Sequence, residues 1–125
     1  MNFNFNNPYT STRLPVFARN VVSTSHPLAA QAGLRMLWQG GNAVDAAVAA
    51  AAAMTICEPV SNGLGSDAFA ILWDGQSLHG LNASGRAALA ADADWLKASG
   101  LTEIALRSIH AITVPGAIDG WVELL

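Results

Sequence analysis

Arg86 is the side chain in this sequence best suited to bind a charged ligand. It follows a predicted strand, in a short loop with Ser84 and Gly85, and only 12% of the residues in the chain are charged. A guanidinium presents a planar fork of N–H donors that can bind a carboxylate through two parallel hydrogen bonds. The local sequence leaves a second interpretation open, in which Arg86 is a surface side chain paired with a nearby aspartate.

The other polar side chains form no catalytic or metal-binding pattern. The histidines lack the spacing of metal ligands, and we expect structural roles for them; they are His26, His79 and His110. The aspartates beside predicted turns are expected to cap turns or helices; they are Asp67, Asp74, Asp92 and Asp94. The glycines at 63 and 65 lack the strand–loop–helix order of a phosphate-binding loop. The sequence therefore predicts no catalytic residue, no metal site and no cofactor within this chain.

The element that must position these groups is predicted from residues 40–54. Two glycines are expected to end one helix, and Asn42 followed by Asp45 is the pattern of a capping box that begins the next. Residues 46–53 comprise seven alanines and one valine. Because a helix that is apolar on all sides must be buried, we expect this helix to lie inside a core larger than these residues can build.

The rest of the chain alternates between helical and strand patterns. The Asp74-Gly75 pair predicts a tight hairpin turn between two strands. The further predicted elements are a short strand over 21–24, an amphipathic helix over 27–39, strands over 68–73 and 76–82, a short helix begun by Asp92 or Asp94 and ended by Gly100, a strand over 109–114, and a helix over 117–125. The expected fold class is α+β, a helical hairpin plus an antiparallel β-hairpin, with residues 1–18 as an irregular arm and residues 19–125 as the folded part.

Composition excludes several classes of function. The net charge is −3 and no cluster of Lys or Arg exists, which argues against binding nucleic acid. The alanine-rich helix of about 15 residues is shorter than the about 20 apolar residues that a membrane span needs. The first residues lack the charged start and apolar run of a secretory signal peptide. We therefore expect no membrane role and a cytoplasmic location, with the periplasm less favoured.

The chain also has few charged residues for a soluble domain. Its 52% hydrophobic and 12% charged residues compare with roughly 25% charged residues in a typical domain. The last predicted helix ends at Leu125 with no capping residue. We therefore expect this chain to be a fragment truncated at its C-terminal end, or to bury its surface against a partner, and a homo-oligomer is left open.

The segment Gly40–Ala49 resembles the most recognisable motif of the gamma-glutamyltransferase family. The flanking motifs are similar too, and they follow in the family's order: Ser25-His26-Pro27-Leu28-Ala29, Glu58-Pro59, the glycine-rich loop ending in Phe69, and Val114-Pro115-Gly116. The similarity extends from about residue 8 to the end of the chain. Arg86 stands where the family keeps an arginine that binds the alpha-carboxylate of a gamma-glutamyl substrate, so the resemblance favours a substrate-binding role for Arg86.

The resemblance implies the N-terminal part of the large subunit of an N-terminal-nucleophile hydrolase with an αββα sandwich. Such enzymes are zymogens that cleave themselves into a large and a small subunit, which exposes a threonine nucleophile. That threonine would lie downstream of residue 125, so we assign none of the threonines here a catalytic role. The implied partners are the remainder of the same precursor and a small amide or gamma-glutamyl substrate, as in glutathione metabolism.

Some residues depart from the transpeptidase pattern. Arg86 is followed by Ala87-Ala88 instead of Glu, and the glycine-rich loop carries Ser66-Asp67. The run Gly80–Arg86 is more similar to the amidohydrolase and acylase branch, which includes oxamate-amidohydrolase-like members. This favours hydrolysis of an amide over transfer to an acceptor. The alternative is a non-catalytic, stand-alone helix and hairpin module that binds a partner through its apolar surface.

Overall fold

The computed structural model of this protein describes residues 15–125. The predicted arm falls mostly on residues 1–14, which lie outside the described residues. The elements in chain order are α1 (Pro27–Trp38), α2 (Ala43–Cys57), β1 (Ala68–Trp73), β2 (Leu78–Ala83), α3 (Ala93–Ala98), a 3-10 turn (Ile109–Ala111) and α4 (Ala117–Leu124). The predicted α+β class, a helical hairpin followed by an antiparallel two-stranded sheet, is confirmed.

The predicted capping box at the start of α2 is present. The Asn42 side-chain oxygen accepts hydrogen bonds from the backbone N–H groups of Val44 (2.7 Å) and Asp45 (3.1 Å). The Asp45 carboxylate accepts one from the backbone N–H of Asn42 at 2.7 Å. These bonds satisfy donors that the first turn of a helix leaves without partners, and they place a negative charge at the positive end of the helix dipole.

Small residues bring the two helices of the hairpin together. Gly33 of α1 and Ala46 of α2 are buried where the helices meet. A Cβ atom added to Gly33 would lie 2.7 Å from the backbone oxygen of Ala46. Because that oxygen belongs to the backbone, it could not move aside cheaply, and the crossing requires glycine.

The expected burial of α2 on all sides is not achieved within the described residues. Only Ala46 and Ala50 of this helix are buried there, and Ile56 is exposed. One side of α2 lines a cavity of about 850 Å³ that it shares with residues 19–25. The apolar surface of α2 is therefore only partly covered, by α1 and by contacts with α4.

The strand predicted over 21–24 is wrong. Residues 21–24 have no regular secondary structure and pair with no strand in the part of the chain that the structure describes. Side chains hold this segment against the end of α2: the Thr24 hydroxyl donates to the sulfur of Met54 at 3.1 Å, and the Ser25 hydroxyl donates to the Glu58 carboxylate. A run rich in β-branched residues therefore lies against a helix here instead of joining a sheet.

The β-hairpin forms where the sequence predicts it, with a shift at the turn. The Asp74 carboxylate accepts hydrogen bonds from the backbone N–H groups of Gln76 and Ser77, both at 2.7 Å, and lies 2.8 Å from a ring nitrogen of His79. These bonds keep residues 76 and 77 in the turn, so β2 begins at Leu78 rather than at residue 76. The bonds from Ser77, His79 and Gln76 lower the pKa of Asp74 below its ordinary value.

The outer face of β1 is open in this structure. The residues of β1 are apolar on both faces of the strand, but Phe69, Ile71 and Trp73 are 65%, 81% and 62% exposed. The alternate residues of β1 are half-buried. Residues 15–125 therefore cover one face of the strand only, and its apolar character on both faces is not explained by contacts within them.

The strand predicted over 109–114 is also wrong. Residues Ile109–Ala111 form a 3-10 turn instead, and the His110 ring packs edge-on to Trp95 with 5.2 Å between ring centroids. Trp95 belongs to α3, whose N-cap is Asp92, the first of the two predicted candidates. The alternating pattern over 109–114 thus does not reflect a strand of the described sheet.

The capping box gives a test of the start of α2. Replacing Asn42 with alanine removes the acceptor of two backbone N–H groups, and the expected loss of stability is roughly 0.5–2 kcal/mol. Chemical denaturation of the purified protein measures it. Asn42→Ser is the matched control, because serine keeps a capping oxygen and should lose much less. An alanine variant as stable as wild type would mean that the helix starts elsewhere.

The Asp74 turn gives a prediction about pH. Because the folded protein lowers the pKa of Asp74, the carboxylate stabilises the fold above its unfolded pKa, and this contribution is lost as the pH falls through the folded pKa. The stability difference between wild type and Asp74→Asn should therefore shrink on acidification from about pH 6 to about pH 2. Denaturation midpoints of both proteins across this range measure it.

Asp94→Asn is the control for this experiment. The Asp94 carboxylate is exposed and its salt bridge is with Lys97 at 3.7 Å, so this variant should follow wild type much more closely. A difference between wild type and Asp74→Asn that does not change with pH would contradict the role given to the Asp74 carboxylate.

Candidate functional site

Arg86 lies beside a cavity of about 580 Å³ at the end of β2. Three segments line the cavity: residues 82–86, residues 114–116, and Asp119 in the first turn of α4. The Arg86 side chain is exposed, and within residues 15–125 it forms no salt bridge. The interpretation of Arg86 as the partner of a nearby aspartate thus finds no support in the described part of the chain, and its guanidinium is available to an anionic ligand.

The backbone that carries Arg86 is held by residues far away in the sequence. The Arg86 carbonyl accepts a hydrogen bond from the backbone N–H of Val114 at 2.8 Å. The Ser84 carbonyl accepts one from the Thr113 hydroxyl at 3.2 Å. Residues 84–86 and 113–114 are therefore fastened side by side, which fixes where the Arg86 side chain leaves the backbone.

Two glycines permit this crossing. Gly85 has φ +79°, and a Cβ atom there would overlap the carbonyl oxygen of Val114. A Cβ atom on Gly116 would overlap the carbonyl oxygen of Ala83 and lie 2.6 Å from the nitrogen of Gly85. Since an L side chain at φ near +80° is also strained, Gly85 is required by backbone conformation and by space.

The glycine-rich loop between α2 and β1 fixes the third side of the cavity. The Ser66 carbonyl accepts hydrogen bonds from the backbone N–H groups of Gly116 (3.2 Å) and Ala117 (3.0 Å), at the start of α4. The Ser66 hydroxyl donates to the carbonyl of Gly63 at 2.7 Å, which closes the loop on itself. This loop therefore satisfies helix-terminal donors that no side chain caps, and it sets the position of Asp119.

The histidines occupy structural positions. A ring nitrogen of His26 caps α1 by accepting from the backbone N–H of Leu28 at 3.3 Å, while His79 contacts Asp74 and His110 packs on Trp95. Among the residues that the structure describes, no three His, Cys, Asp or Glu side chains are grouped as metal ligands. None of the described helices combines the length and apolar character needed to cross a membrane.

Sequence reasoning missed three residues of the cavity region. Thr113 and Val114 lie in the segment predicted as a strand, and no local pattern connects them with Arg86. In the sequence, Asp119 is indistinguishable from an ordinary polar residue on the exposed face of an amphipathic helix. The pattern that could have identified it is an acid in the first turn of a helix that begins directly after Pro115-Gly116, next to a motif already quoted for the family resemblance.

Known proteins are similar in sequence to most of this chain. A family model described as gamma-glutamyltranspeptidase matches residues 29–125. The chain is 41% identical over 110 residues to a glutathione hydrolase-like YwrD proenzyme of Bacillus subtilis, covering 86% of this chain and 21% of that protein. It is 40% identical over 103 residues to an oxamate amidohydrolase proenzyme of Klebsiella pneumoniae, covering 80% and 19%. The chain thus spans about a fifth of the length of these relatives.

Solved structures give the same result for the fold. The cephalosporin acylase of Bacillus halodurans superposes with a TM-score of 0.85 and 51% identity, covering 99% of this chain and 24% of that one. The gamma-glutamyltranspeptidase of Helicobacter pylori superposes with a TM-score of 0.75 and 27% identity, covering 90% and 34%. The helical hairpin and β-hairpin described above are therefore shared with acylases and transpeptidases of this type.

A pair of glycine variants tests the crossing beside Arg86. Gly75 and Gly85 both have positive φ, but a Cβ atom on Gly75 meets nothing within 4 Å. Gly75→Ala should lower the free energy of unfolding only by the backbone strain, about 1–2 kcal/mol. Gly85→Ala adds overlap with a carbonyl oxygen, which should lower the free energy of unfolding by about 1–3 kcal/mol more. Chemical denaturation of both variants measures the difference, and equal losses would contradict the close crossing.

Proposed function

Because the chain belongs to the gamma-glutamyltranspeptidase family, we propose that it is part of a self-processing amidohydrolase that cleaves an amide bond through an acyl-enzyme. The family match over residues 29–125 supports the proposal, as do relatives whose names describe proenzymes that are hydrolases, amidohydrolases or acylases. The nucleophile is a threonine outside residues 1–125. The observation that carries the role of this chain is the guanidinium of Arg86, which has no salt-bridge partner within residues 15–125 and lies beside a cavity that distant segments build.

Arg86 binds a carboxylate on the acyl part of the substrate. A guanidinium fork and a carboxylate form two parallel charge-assisted hydrogen bonds, which fix the orientation of the ligand as well as its position. Because the Arg86 backbone is hydrogen-bonded to Val114, a carboxylate bound to Arg86 is held at a fixed position relative to the fold. Holding one end of the substrate in this way places the amide at a constant distance from the nucleophile and lowers the entropic cost of the reaction.

The reaction proceeds in two steps at the threonine. Its hydroxyl oxygen bonds to the amide carbonyl carbon while its own α-amine takes the hydroxyl proton, and the tetrahedral intermediate then releases the leaving amine, which carries that proton away. The acyl group is now an ester of the threonine. Water attacks this ester by the same route, which releases the carboxylic acid and restores the hydroxyl. Hydrolysis rather than transfer is proposed, since hydrolases and amidohydrolases are among the relatives.

Arg86→Lys in the complete protein tests this function. Lysine keeps the positive charge but loses the planar fork, so KM for carboxylate-bearing amides should rise by roughly tenfold or more, the equivalent of one charge-assisted hydrogen bond of about 1.5–3 kcal/mol. Release of amine from a panel of such amides measures kcat and KM. Arg107→Lys, a conservative change at an exposed arginine outside the cavity, is the matched control.

Self-cleavage is followed in the same samples by mass spectrometry. Wild type and both variants should each yield two subunits, because Arg86 binds substrate and is not proposed to take part in processing. A complete protein that remains one uncleaved polypeptide and hydrolyses no amide would contradict the proposed function. An unchanged KM for Arg86→Lys would remove Arg86 from the binding site while leaving the amidohydrolase assignment in place.

A further inference from the structure

The segment of residues 87–112 leaves the β-hairpin and returns to it at one place. At that place the Val114 N–H donates to the Arg86 carbonyl at 2.8 Å, and the Thr113 hydroxyl donates to the Ser84 carbonyl at 3.2 Å. The helix of the segment, α3, packs on no other α-helix and on no strand within residues 15–125. In the described part of the chain, contacts with loops therefore set the position of α3.

One aromatic contact joins α3 to the returning end of this segment. The rings of Trp95 and His110 meet edge to face, with 5.2 Å between their centroids and 63° between their planes. The Trp95 backbone N–H donates to the N-cap Asp92 at 2.7 Å, whereas the 3-10 turn that carries His110 has no side-chain cap. Trp95 is thus the better fixed of the two rings, and it supports the turn of His110.

The returning end has little other packing beside His110. Ile109 and Ile112 are 77% and 73% exposed. The two ends of the segment, residues 87–91 and 109–113, line one cavity of about 330 Å³ together with Trp95. Side chains on a cavity wall lack contact atoms on that side. Loss of the Trp95 ring would enlarge this cavity and would leave the returning end without the ring that supports it.

We propose that Trp95 is a positioning residue for Arg86. Its ring fixes His110, and the chain then reaches Thr113 and Val114, the two residues that hold the backbone on either side of Gly85. This inference rests on the proposed function and deepens it, because the two parallel hydrogen bonds of a guanidinium to a carboxylate require a fixed orientation. Trp95 acts through Arg86 and touches no substrate.

Trp95→Ala in the complete, processed enzyme tests this role. It should raise KM for carboxylate-bearing amides by roughly 2- to 10-fold, the range expected for one aromatic pair, with little change in kcat. Trp95→Phe keeps a ring and should restore most of the wild-type KM. His110→Ala removes the other ring and should match Trp95→Ala, so it provides the test if the latter fails to fold. Leu106→Ala, at a position of the same segment that is 90% exposed, is the control and should leave KM unchanged.

A double-mutant cycle separates an effect through Arg86 from a general structural effect. Values of kcat/KM are measured for wild type, Trp95→Ala, Arg86→Lys and the double variant. If Trp95 acts through Arg86, Trp95→Ala should reduce kcat/KM much less in the Arg86→Lys enzyme than in wild type, because contacting or coupled residues are not additive. His110→Ala enters the same cycle in place of Trp95→Ala if needed.

The outcomes distinguish this inference from the proposed function. Equal losses from Trp95→Ala in both backgrounds overturn the role of Trp95, as does a wild-type KM for Trp95→Ala while Arg86→Lys raises KM. In both cases the proposed function stands. A complete protein that hydrolyses no carboxylate-bearing amide would overturn the proposed function, and this inference with it.

Discussion

The close crossing of residues 84–86 and 113–116 is the constraint on which the site depends. The hydrogen bond from Val114 to the Arg86 carbonyl, at 2.8 Å, can form only because Gly85 and Gly116 leave no side chain between the two segments. This crossing joins the exit of β2 to the start of α4. It therefore places a cation and an anion on one cavity, although they stand 33 residues apart in the sequence (119 − 86).

Small residues allow close approach of backbone segments elsewhere in this structure too. The buried apolar residues among those described are all alanines: Ala29, Ala46, Ala50, Ala83 and Ala117. Each removes little apolar area from water, so burial of these side chains contributes little to stability individually. Their contribution is to packing geometry, because they let helices and strands approach until backbone atoms touch. In the sandwich that the family resemblance implies, the exposed apolar face of β1 would meet a second layer.

The features that the sequence predicted correctly are those decided by neighbours along the chain. The capping box of Asn42 and Asp45, the turn at Asp74 and the N-cap at Asp92 each depend on groups two to three residues apart. Both predicted strands that failed, over 21–24 and 109–114, have the right local pattern. A strand also requires a ladder of backbone hydrogen bonds to a partner. Residues 21–24 lie against the end of a helix, and the segment 109–114 makes one backbone bond to Arg86 and one side-chain bond to Ser84.

The sequence by itself determined the helical hairpin, the β-hairpin and the family resemblance, because periodicity, caps, turn residues and motifs are all properties of nearby positions. A binding role for Arg86 is its prediction. The tertiary structure alone decided that Thr113 and Val114 hold the Arg86 backbone and that Asp119 lines the same cavity. No local pattern encodes these relations. They arise where the chain returns to itself after about 30 residues, at a crossing whose geometry is set by hydrogen bonds and by the absence of two side chains.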